Sequence, residues 1–142
     1  MTSGVDRPQR GLLDTSTLIL LPRLHDATLL PHEPLISTIT LAELSVGPLV
    51  ARTEEQRAAR QAHLQQAEAD FEPLPFDAAA ARAFGHVAAS LRHAGRTPSA
   101  RSYDAMIAAV AIANALLLYT ANPEDFAAID RLDVVDVPHP DA

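Results

Sequence analysis

Short aliphatic runs, each no longer than one strand, alternate along this chain with helix-length segments, and that alternation limits the fold more than any other feature. Gly11-Leu12-Leu13 is the first run; Asp14 halts it, and a helix is expected over 15–24, stopping near Pro22 and His25. A second strand is expected over 34–38, then a helix opened by Thr40 and running from 41 to about 50, with Gly47-Pro48 at its end. A polar, Ala-rich helix over 53–70 follows, with Thr53 and Gln56 in capping-box spacing. The segment 71–76 is broken by Pro73 and Pro75 and leaves room for at most a brief strand. Asp77 caps a helix over 78–94 that Gly95 ends, and Ser102 caps a strongly apolar one from 103 to about 114. Strands at 116–119 and 133–137 complete the pattern, with a short helix between them begun by Asn122 as cap and Pro123 at its first position. Strands separated by helices imply right-handed crossovers and an α/β domain whose mainly parallel sheet is covered on both faces.

At 142 residues, 48% of them hydrophobic, the chain suits a single core better than two. With 4% aromatics and no Trp, that core must be built from Leu, Ile, Val and Ala. The expected division is a tail over 1–10, a domain over 11–137 and a tail over 138–142. Without Cys there are no disulfides, thiol nucleophiles or Cys-based metal sites. All 11 basic residues are Arg, which rules out a Gly-Lys-Ser/Thr phosphate loop. The stretch 1–10 is polar and lacks the apolar run of a secretory signal. The apolar stretches 12–21 and 105–118 are interrupted by polar residues, so a membrane-free, cytoplasmic protein is expected.

A formal charge of −7 argues at first sight against nucleic acid. Acids that hold divalent ions, however, turn a repulsive site into one that attracts phosphate. Asp14 follows the first strand, Glu43 lies just past the second and Asp125 comes shortly after the third. In open α/β sheets the carboxyl ends of the strands form the ligand crevice, so these acids are expected to converge. Each also has a simpler role at a helix start: Asp14 as cap, Glu43 in capping-box spacing with Thr40, Asp125 in a first turn. Asp104 shares a helical stripe with Ile107, Ala108 and Ala111. A carboxylate aimed inward needs a counter-charge, Arg or a metal. An all-oxygen set with no Cys and no His-x-x-x-His pair selects Mg²⁺ or Mn²⁺ over zinc.

Leu12-Leu13-Asp14-Thr15-Ser16, Thr40-Leu41-Ala42-Glu43-Leu44, Tyr103-Asp104-Ala105-Met106-Ile107-Ala108-Ala109 and the run from Tyr119 through Asn122 and Asp125 to Phe126, in this order, resemble the PIN domain. More narrowly, they resemble the VapC-type toxins of bacterial toxin–antitoxin pairs, over about 11–137. The resemblance implies a parallel-sheet α/β/α fold, Mg²⁺- or Mn²⁺-dependent RNA cleavage, a homodimer, and inhibition by a cognate VapB-like antitoxin. Carried over by motif, Asp14, Glu43, Asp104 and Asp125 are the metal-binding acids, although some members place the last acid where this chain has Asn122. Thr15, Ser16, Thr120 and Asn122 are the neighbours that orient them. RNA electrostatics would fall to Arg92, His93, Arg96 and Arg101, which lead up to Asp104. The aliphatic residues around 15–24, with Leu29 and Leu30, are expected to meet an antitoxin segment or a second subunit.

Two other readings stay open. One is a different acid-cluster phosphoesterase, though a haloacid-type phosphatase would need an acid at Ser16. The other is a catalytically inactive PIN-like scaffold that binds a protein partner.

Overall fold

The computed structural model describes residues 8–96 and 102–141. Its strands are β1 (Arg10–Leu13), β2 (Glu33–Leu35), β3 (Leu117–Thr120) and β4 (Val134–Asp136), all parallel, in the order β2-β1-β3-β4. The helices are α1 (Thr15–Leu20), α2 (Thr38–Leu49), α3 (Glu54–Asp70), α4 (Ala78–His93) and α5 (Ser102–Ala113).

Successive strand residues point to opposite faces, and the core divides accordingly. Leu12 and Leu118 join Ala80, Val87 and Leu91 of α4 and Ile107, Ala108 and Ala111 of α5 in one cluster. Leu13 and Tyr119 join Ile36, Leu44 of α2 and Ala67 of α3 in the other, with Leu18 and Leu21 packed against them. The result is the expected three-layer α/β/α arrangement. Each fully buried Leu or Ile contributes roughly 1.5–3 kcal/mol. The alanines let α4 and α5 lie close together without leaving voids.

Several boundaries differ from expectation, each for a local reason. The second strand is Glu33–Leu35 rather than 34–38, because Ser37 is an extended cap whose side chain accepts from Thr40 N, and the helix already starts at Thr38. Thr40 and Glu43 are therefore not a capping box. Thr38 N donates to Leu74 O and Leu74 N to Ile36 O, both at 2.9 Å, so the segment 71–76 supplies a single parallel bridge. The helix after Asp14 ends at Leu20 and tightens into a 3-10 turn, Leu21–Arg23, around Pro22. Pro48 lies inside the last turn of α2 rather than stopping it. Helix α5 begins at Ser102 itself. Among the described residues, no helix is long and apolar enough to cross a membrane.

Candidate active site

From β1 the sheet extends to β2 on one side and to β3 on the other. The strand order therefore reverses between β1 and β3, the place where open parallel sheets leave a crevice at the strand carboxyl ends. Asp14 is the residue after β1, and its backbone N–H reaches Tyr119 O of β3 at 3.3 Å.

The Asp14 carboxylate, 3% exposed, caps α1 by accepting from Thr17 N at 3.0 Å. Its other oxygen accepts from the Thr120 hydroxyl at 2.6 Å. Ser16 Oγ stands 3.4 Å from both oxygens and in turn accepts from Asn122 Nδ2 at 3.1 Å. Capping and site-building are thus the same set of bonds. Asn122 does not cap the turn after β3 with its side chain, as expected from its position; its N–H donates to Thr120 Oγ1 at 2.9 Å and its amide is spent on Ser16.

Next to Asp14, Thr15 faces the other way. Its hydroxyl donates to Glu43 Oε1 at 2.7 Å and lies 3.0 Å from Thr40 Oγ1. An ionised carboxylate only accepts, so Thr15 spends its one hydrogen on Glu43 and Thr40 must donate to Thr15. Thr40 stands three residues before Glu43, on the same face of α2; that spacing, read first as a cap, is the signal that places it here. Thr17 holds the turn below, its hydroxyl accepting from Ala121 N at 3.0 Å.

Asp125 lies in the 3-10 turn Pro123–Phe126, its N–H bonded to Asn122 O at 3.0 Å. Asp104 occupies the first turn of α5, which packs against α2 and against that same 3-10 turn. Helix α5 runs back to the start of β3, so its N-terminus belongs to the end of the sheet where β1 and β3 finish. Ile107, Ala108 and Ala111 are fully buried, but Asp104 is only half-buried rather than sunk in the core. Arg92, His93 and Arg96 are exposed at the end of α4; Arg101 lies outside the described residues.

The donor set suits a hard divalent cation. Asp14 is a buried carboxylate bonded by neutral donors, with no cationic side chain paired to it among the described residues, and buried charges of that kind are matched by a cation. Asp14 and Glu43 are each oriented by hydroxyls, as ligating carboxylates are. The cage is not closed: among the described residues no three His, Asp or Glu side chains already surround one point.

Comparison with known proteins places the chain in a family. The family model of the PIN domain matches residues 12–132. Ribonuclease VapC5 of Mycobacterium tuberculosis (strain ATCC 25618 / H37Rv) is 41% identical over 132 residues, 92% of this chain and 95% of that protein. Ribonuclease VapC4 of the same organism is 33% identical over 91% of this chain and 98% of its own length. Among solved structures, a member of the VapBC family of toxin-antitoxin systems, VapBC-5 from M. tuberculosis, superposes with a TM-score of 0.78 at 40% identity, over 92% of this chain and all of that one. The chain belongs to the PIN-domain family, among its VapC members.

Proposed function

We propose that this chain is the toxin of a VapBC-type toxin–antitoxin pair, a cytoplasmic endoribonuclease that hydrolyses RNA phosphodiester bonds with Mg²⁺ or Mn²⁺. The observation that carries this reading is the pair of hydroxyl-held carboxylates at the strand switch point, Asp14 on Thr120 and Glu43 on Thr15. Its chemistry fits the activity named for the two curated relatives.

Asp14, Glu43, Asp104 and Asp125 would hold the ion. Bound there, it supplies Lewis-acid charge to the phosphate and lowers the pKa of water. The chain's own part is orientation. Thr120 and Thr17 N fix the plane of the Asp14 carboxylate, while Ser16 and Asn122 tie it to the turn that carries Asp125. Thr40 holds Thr15, and Thr15 holds Glu43 by Oε1. Glu43 is half-buried; with Oε1 bonded by Thr15, its Oε2 would be the oxygen left to hold the ion or to take a proton from an attacking water. Arg92, Arg96 and Arg101 would draw the RNA backbone toward the site.

The antitoxin would seat in a groove that adjoins the cleft beside Glu43, the two sharing Ile19, Leu44 and His63. Leu18, Ile19, Leu21, Leu44, Ala67 and Phe71 line an apolar groove between α1, α2 and α3, and Ile19 is 39% exposed. Such a groove suits the apolar face of a partner segment, and the solved relative is itself a toxin–antitoxin complex. We further propose a homodimer as the working form.

Presenting labelled RNA, duplex DNA and a chromogenic phosphate ester side by side tests the reading. RNA alone should be cut; hydrolysis of the ester or the duplex with RNA spared would contradict it.

A further inference from the structure

The cleft beside Glu43 has a second wall. Thr15, Ile19, Glu43, Leu44 and Gly47 line one side and Arg60 and His63 of α3 the other, around about 170 Å³, space for several waters and so for a phosphodiester group. Arg60 and His63 are three residues apart, on one face of the helix. Arg60 Nη1 donates to Gly47 O at 3.0 Å, its one hydrogen bond among the described residues. A guanidinium has five N–H donors, so that bond holds the group at the cleft wall and leaves other donors for a ligand. Gly47 makes the seat: a Cβ there would come within 3.3–3.5 Å of the Arg60 stem. Among the described residues no ion pair joins Arg60 to Glu43. The cation stands beside the acid without collapsing onto it.

From this we infer that Arg60, with His63, binds the RNA backbone at the phosphate next to the one that is cut. The inference rests on the ribonuclease reading and adds a substrate contact to it. A chain of net charge −7 repels RNA unless cations are placed locally. Arginine is the side chain suited to paired hydrogen bonds with phosphate oxygens, and the imidazole of His63 adds a donor or a stacking surface for a base. Helix α3 covers one face of the sheet and α4 the other. Arg60 would supply such a cation on the α3 side of the cleft that Glu43 lines.

The test uses the full chain without antitoxin, in an Asp14→Asn background that stops cleavage, with a fluorescein-labelled random-sequence RNA of roughly 12 nucleotides, within the span of a single-strand site. Arg60→Gln should weaken binding about 10-fold and lower the slope of log affinity against log salt by about 0.7. His63→Gln should weaken it about 3-fold, and Arg60→Lys should fall between wild type and Arg60→Gln. Arg57→Gln, one turn earlier on α3 and paired with Glu54, should change neither quantity. In the cleaving protein, Arg60→Gln should raise KM and leave kcat nearly unchanged, a split that a purely structural bond to Gly47 would not produce. Should Arg60→Gln not fold, Arg60→Lys and His63→Gln carry the comparison. Unchanged binding and salt slope in folded variants, or an equal loss in Arg57→Gln, would overturn the inference while wild-type cleavage leaves the ribonuclease reading standing. A folded wild type that neither binds nor cuts RNA would overturn both.

Discussion

Thr120 donates its hydroxyl hydrogen to the Asp14 carboxylate across 2.6 Å, although the two residues are 106 positions apart in the chain. The bond joins the carboxyl ends of β1 and β3 where the strand order reverses. The same oxygen accepts from Asn122 N at 2.9 Å, so one hydroxyl aims the buried acid and anchors the turn that carries Asp125.

Thr120→Val should therefore harm both function and stability. Losing a bond that orients a ligating carboxylate costs about 10–100-fold in metal affinity or activity. Leaving the Asn122 N–H and an Asp14 oxygen unpaired costs about 1–3 kcal/mol. Thr120→Ser should recover most of both. Mn²⁺ titration by calorimetry and thermal denaturation check the two effects separately.

The relay Thr40 to Thr15 to Glu43 predicts an order of effects. Thr15→Val removes the direct donor to Glu43 and should lower cleavage about 10–100-fold. Thr40→Val, which acts only through Thr15, should cost less. Initial-rate measurements on one RNA suffice; a larger loss from Thr40→Val would show that the relay runs otherwise.

Gly11 in β1 leaves the space that the Tyr119 ring fills, since a Cβ there would fall 2.4 and 2.7 Å from ring carbons. The ring is 2% exposed and has nowhere to move. Gly11→Ala should destabilise by about 1–3 kcal/mol through overpacking, read as a lower urea midpoint with an unchanged slope.

Away from the site, the hydrogen bond from Arg57 holds the Glu54 carboxyl below its ordinary value. A carboxyl lowered in the folded state stabilises above its unfolded pKa, and that contribution is lost as pH falls through the folded value. Both side chains are solvent-exposed, so Arg57→Gln should leave the melting temperature at neutral pH almost unchanged and slightly flatten its fall in acid.

How much of this was legible beforehand depends on which interactions were local. Short aliphatic runs mark strands from their own residues, which is why Leu12 and Leu13 could be placed without knowing their partners. Asp14 was legible as the acid ending a strand. Its partner Thr120 was found through family likeness, because nothing in Leu117–Thr120 announces a contact 106 residues away. Glu43 was legible as an acid just past the second strand, and its neighbour was misread: Thr40 has capping-box spacing, but Ser37 takes the cap because an extended Ser beside Leu74 leaves Thr38 free to begin the helix. Arg60 and His63 were not singled out because α3 is polar and Ala-rich with only a weak apolar stripe, which reads as a solvent-facing or partner-facing helix. Only the packing of α3 on α2 brings Arg60 and His63 to the cleft that Glu43 lines.

The central claim is that Asp14 and its companion acids cut RNA with a divalent ion. Cleavage of total bacterial RNA by antitoxin-free protein, wild type against Asp14→Asn, with Mg²⁺, Mn²⁺ or EDTA, tests it most directly. The account predicts discrete products from wild type with either metal, none with EDTA and none from the variant. Equal cleavage by a folded Asp14→Asn protein, or cleavage undiminished by EDTA, would contradict it.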